Sequence, residues 1–111
     1  MTVTVKPRLA HVGLYVWDLD RMLAFYTFLF DLRVTDRGQS PVFNNTLVFL
    51  SADPSSHHQL VLATGRPPEA TFSTIMQLSF KTQEIQELRQ IRDAAPALGA
   101  SRKYPPPPRA S

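Results

Sequence analysis

One pattern occurs twice in this chain, 66 residues apart, and it limits the possible folds more than any other feature. Residues 9–20 read L-A-H-V-G-L-Y-V-W-D-L-D, and residues 75–86 read I-M-Q-L-S-F-K-T-Q-E-I-Q. Superposed, His11 meets Gln77, Val12 meets Leu78, Gly13 meets Ser79 and Leu14 meets Phe80. Asp18 and Leu19 meet Glu84 and Ile85, where each copy turns from strand to helix. A repeat of this length is the mark of a module used twice. The first copy carries a metal-capable imidazole where the second carries an amide.

Periodicity gives each copy its elements. Residues 8–16 alternate as a strand does, with Ala10, Val12, Leu14 and Val16 on a uniformly apolar side. Leu9, His11, Gly13 and Tyr15 form the mixed side, which can line a cavity. Asp18 is a good N-cap, and Leu19, Met22, Leu23, Tyr26, Leu29 and Phe30 follow at helical spacing. Residues 32–35 form a short strand candidate, and residues 36–41 are rich in turn formers. Residues 45–51 and 57–64 read as two further strands around the turn Asp53-Pro54-Ser55-Ser56. Gly65 and Pro67-Pro68 end this β-α-β-β-β run. The second copy starts near Thr74, with Met76, Leu78 and Phe80 apolar. A polar helix over residues 83–95 follows, with Ile85, Leu88 and Ile91 as its buried stripe and Gly99 past its end.

The expected organisation is a first module over residues 8–65, a linker over 66–73 and a partial second module over 74–100. Residues 101–111 form a Pro-rich basic tail, expected to be disordered, because four consecutive prolines cannot donate to a sheet ladder. The net charge of +3 is a property of this tail. Arg102, Lys103 and Arg109 lie there, and elsewhere nine basic residues face nine acidic ones. A neutral body does not predict a nucleic-acid partner. No apolar run is long enough for a bilayer and no signal peptide opens the chain, so a soluble cytoplasmic protein without membrane contact is expected. With no cysteine, disulfides and thiolate chemistry are excluded.

The chemistry-bearing residues are three histidines. His11 sits mid-strand on the mixed face beside Gly13. His57 and His58 open a strand directly after a turn, and adjacent strand residues face opposite sides, so alternation admits at most one of them to a shared cavity. Strict alternation groups His57 with Gln59, Val61 and Ala63. A late strand start at the Ser56 turn would admit His58 instead. Either imidazole can act as acid, base or proton shuttle near neutral pH. Glycine is scarce, at four residues, so a phosphate-cradling loop is not expected.

Residues 11–26, H-V-G-L-Y-V-W-D-L-D-R-M-L-A-F-Y, resemble the opening strand and helix of the vicinal oxygen chelate superfamily. That group contains glyoxalase I, bleomycin-resistance proteins and type I extradiol dioxygenases. Residues 49–62, F-L-S-A-D-P-S-S-H-H-Q-L-V-L, are most similar to the extradiol branch. The resemblance implies an α+β fold of paired β-α-β-β-β modules, here with the second incomplete, as in a C-terminally truncated relative. It implies iron(II) or another divalent metal such as manganese or zinc, held by two histidines and a glutamate. His11 falls at the first ligand position and Gln77 at the second. The glutamate belongs to a last strand that this sequence does not contain. The catalytic acid–base residue corresponds to His58, with His57 as the alternative. The implied activity is ring cleavage of a small catechol-type aromatic. Non-catalytic binding of the antibiotic-resistance type and glyoxalase-like lyase or isomerase chemistry are the alternatives. An unpaired sheet edge also leads us to expect a homodimer formed by module pairing.

Overall fold

The computed structural model describes residues 2–101, and the Pro-rich tail from residue 102 onward lies outside the described residues. Its elements run β1 (Val12–Val16), α1 (Leu19–Phe30), β2 (Arg33–Gln39), β3 (Thr46–Ser51), β4 (Leu60–Thr64), α2 (Ile85–Ala94) and a 3-10 turn, Ala95–Leu98. The four strands form one mixed sheet in the order β1-β4-β3-β2. This is a single β-α-β-β-β module of α+β class, followed by an incomplete second one.

Pairing follows the apolar pattern. β1 runs parallel to β4, with Val12 opposite Leu60 and Leu14 opposite Leu62. β4 runs antiparallel to β3, with Leu62 opposite Val48 and Leu60 opposite Leu50. These residues share one face, and α1 covers it. Val16, Tyr26, Leu32, Val48, Leu50, Leu60 and Leu62 form the buried cluster, with Met22, Leu23, Phe25 and Phe30 packed around it. Asp18 caps α1 by accepting the Arg21 amide at 3.1 Å, and Asp31 ends the helix in the left-handed region at φ 54°. Asp and Asn tolerate that region better than most residues.

β2 is longer than the periodicity predicts. It continues through the segment read as a turn, because residues 36–39 find partners on β3. A register shift between Val34 and Asp36 marks a bulge at Thr35. Val34 pairs with Leu50 on the helix side, and Asp36 pairs with Phe49 on the other side. The bulge therefore turns a carboxylate toward the face that α1 leaves open.

The second copy differs from its expectation. Residues 74–82 form no strand. Met76 is 97% exposed, and Phe80 stacks on Phe30 of α1 at a centroid distance of 4.2 Å. α2 forms where the pattern puts it, and its start carries a reciprocal capping box between Glu84 and Glu87. Its apolar stripe is not buried, however. Ile85 is 61% and Leu88 54% exposed, because among the described residues no second sheet exists for it to cover. β1 is consequently an edge strand.

The segment after β4 is tied back to the first module. The Arg66 guanidinium lies 3.9 Å from the Trp17 ring centroid and donates to the carbonyls of Ala70 and Phe72. Trp17 Nε1 donates to the Pro67 carbonyl at 2.9 Å. These contacts hold residues 66–73 beside the end of β1. Among the described residues, no helix is long and apolar enough to cross a membrane.

Candidate functional site

The site is built on the sheet face opposite α1. Phe49, at the middle of β3, projects there, since its neighbours Val48 and Leu50 are fully buried on the helix side. His11 precedes β1 in phase with Gly13 and Tyr15, which places it on the same open face. The Val12 amide donates to the Gln59 carbonyl at 3.1 Å and locks this end of β1 against β4.

His57 and His58 reach the face together. β4 begins at Leu60, so both histidines belong to the preceding turn, and strand alternation does not apply to them. The late strand start means that strand alternation does not choose between them, and both rings lie against Phe49. The turn is rigidly bonded. Ser51 Oγ donates to the Asp53 carbonyl and accepts the Asp53 amide. Asp53 in turn accepts from the Ser55 amide and hydroxyl at 2.9 and 2.7 Å, and these bonds hold its carboxyl below the ordinary carboxylate range. Ser56 Oγ donates to the His58 carbonyl, and Gln59 Oε1 accepts the Ala52 amide.

The rings converge on one aromatic platform. Phe49 lies 5.0 Å from His58 and 5.6 Å from His57, centroid to centroid, and the His11 and His58 rings are 4.1 Å apart. Asp36 Oδ2 lies 3.4 Å from His57 Nε2, and His57 Nδ1 lies 2.8 Å from His58 Nδ1. A carboxylate only accepts, so His57 Nε2 faces Asp36 with a proton, and in the neutral imidazole the unprotonated Nδ1 accepts a hydrogen bond from His58 Nδ1–H. His58 Nε2 is then left with a free lone pair. In that tautomer Asp36, His57 and His58 form a continuous chain of contacts. Sequence reasoning missed both Asp36 and Phe49. The pattern did carry a signal for Phe49, in its alternation with Val48 and Leu50. Asp36 faces the site only through the bulge, which no local signal announces.

Burial pushes the His58 imidazole below its ordinary value of 6.5, and the neighbouring His11 and His57 push it the same way. The folded chain therefore takes up this proton later than the unfolded chain as pH falls. Its contribution is intact above 6.5 and is lost as the pH drops through the window below that value. Urea midpoints at about pH 7.5 and about pH 5 should show a larger acid loss for the wild type than for His58→Gln. Equal losses would show that the cluster does not oppose protonation.

Gln77 does not join the histidines. It donates to Ser79 Oγ at 2.7 Å and lines a cavity beside the free edge of β1, whereas His11 lines a different one. Among the described residues, no group of three or more histidine, aspartate or glutamate side chains is arranged to hold a metal ion. His11, His57, His58 and Asp36 are not arranged as a facial triad, and Gln77 lies elsewhere. The described residues do not fit a resident divalent metal.

The sequence profile of the Glyoxalase/Bleomycin resistance protein/Dioxygenase superfamily matches residues 8–95. No curated protein matches the chain. Among solved structures, a mutant of the fosfomycin resistance protein FosX from Listeria monocytogenes, complexed with Mn(II) and dihydroxypropylphosphonic acid, is similar. It is 20% identical, with a TM-score of 0.72 over 93% of this chain and 78% of that one. The trypanothione-dependent glyoxalase I of Leishmania major is 24% identical, with a TM-score of 0.60 over 79% of this chain and 66% of that one. At these identities the likeness is one of fold.

Proposed function

Because the chain belongs to the Glyoxalase/Bleomycin resistance protein/Dioxygenase superfamily, we propose that its open sheet face binds a small catechol-type aromatic, in the manner of the extradiol branch. The ring packs against Phe49, and a phenolic hydroxyl donates to His58 Nε2. Asp36 and His57 orient that imidazole, and His11 supplies a second one beside it. The reading rests on one observation, two imidazoles packed on Phe49 with a third, His11, against His58 and the Asp36 carboxylate beside His57. Since the ligand set does not fit a metal, the chain by itself holds the aromatic through a hydrogen bond to His58 and does not cleave the ring. In this it acts like the superfamily's antibiotic-resistance binders.

A second reading is favoured by the free edge of β1. A second copy paired along that edge would bring further side chains to His11 and restore metal-dependent ring cleavage. One experiment separates the two. Catechol is titrated calorimetrically into the anaerobic protein, then iron(II) and air are admitted and the yellow ring-cleavage product is followed. Saturable binding without product is the expected result. Product formation would establish the second reading, and absence of saturable binding would sink both.

A further inference from the structure

A second cavity, of about 710 Å³, lies against the free edge of β1, and none of the three histidines lines it. Its size falls in the range of small-molecule sites, roughly 300–1,000 Å³. Residues 13–17 of β1 and its end form the floor. Met22 and Phe25 of α1 form one wall, Ile75 and its neighbours form the other, and Leu98 and Gly99 close the far end. The walls are mainly apolar. Three charged side chains face the space: Asp18, Arg21 and Arg66.

Two of the three are committed elsewhere. Asp18 caps α1. Arg66 stacks on Trp17 and spends its donors on the carbonyls of Ala70 and Phe72. The Arg21 guanidinium, by contrast, has no hydrogen-bond or ion-pair partner among the described residues. Its position is nevertheless defined. Gly99 sits in the left-handed region at φ 94°, and a Cβ there would stand 2.9 Å from Arg21 Nε and 3.0 Å from Cζ, and closer still to Nη2. The bare glycine backbone therefore gives Arg21 the space that it fills at the end of the cavity.

We propose that this cavity binds an elongated apolar carboxylate, with its chain between α1 and Ile75 and its carboxylate on Arg21. A guanidinium fork matches a carboxylate in geometry and charge. The apolar walls need a hydrocarbon body rather than a polar one. The cavity holds none of the three histidines, and the proposal does not rest on the function proposed for them.

Trp17 is the chain's one tryptophan and lies in the cavity wall, so its fluorescence reports occupancy directly. Decanoate and decanol, which differ only in the charged end, are titrated into the wild type and into Arg21→Gln. Decanoate is expected to saturate at least about tenfold more tightly than decanol in the wild type. Arg21→Gln should bring decanoate to the level of decanol and leave decanol unchanged. Gly99→Ala should weaken decanoate alone, with the circular dichroism spectrum intact, because the added methyl displaces Arg21. Equal affinities for the two probes, no saturable change, or an unaltered decanoate affinity in Arg21→Gln would each overturn the proposal.

Discussion

Leu62→Ala is expected to cost the protein about 3–5 kcal/mol, most of the stability that a domain of this size possesses. Leu62 is 0% exposed and sits at the centre of β4, the strand that joins β1 to β3. On its face Leu14 lies opposite on one side and Val48 opposite on the other. Truncation removes the transfer free energy of the deleted carbons and leaves a cavity that two neighbouring strands cannot close by moving independently. The small size of the core sharpens the effect, because few other buried side chains share the load. Urea unfolding monitored by far-ultraviolet circular dichroism measures it. Met76→Ala, at a 97% exposed position, is the matching control and should change stability by no more than about 0.5 kcal/mol. A cost below about 1 kcal/mol for Leu62→Ala would mean that the core does not lie between the sheet and α1.

Phe49→Ala should abolish most catechol binding while leaving the chain folded. The ring lies on the open face, so its loss exposes no buried neighbour of the core. Its contribution to binding combines apolar contact with ring stacking, together about 1.4–3 kcal/mol, or roughly ten- to a hundredfold in affinity. The same change removes the surface against which the His57 and His58 rings rest. Calorimetric titration gives the affinity, and Phe49→Tyr supplies the rescue, since it keeps the ring. An affinity unchanged in Phe49→Ala would move the aromatic off this face.

Much of the first module was legible in the chain. Asp18 announced the start of α1, and the apolar alternation of β1, β3 and β4 named the residues that meet across the sheet. These signals are local, because capping and alternation depend only on neighbours within one element. The second copy was legible as a repeat but not as a structure. Its strand pattern needs a pairing edge and its helix needs a sheet to cover. Without them Met76, Ile85 and Leu88 remain exposed although their spacing is correct. A hydrophobic pattern states what a segment would bury, and burial itself requires a partner surface.

The candidate site divides along the same line. His11 stood out because the repeat set it against Gln77, and His57-His58 stood out as a pair after a turn. Sequence alone thus determined the superfamily, the first module and the three imidazoles. Only the tertiary structure decided how those imidazoles are used. A bulge at Thr35 turns Asp36 toward His57, and a strand that begins at Leu60 frees both histidines from alternation. Gln77, equivalent to His11 in the repeat, ends up beside a different cavity. Bulges, register and strand starts arise from pairing between segments distant in the chain, and that pairing is what converts a repeated pattern into one particular site.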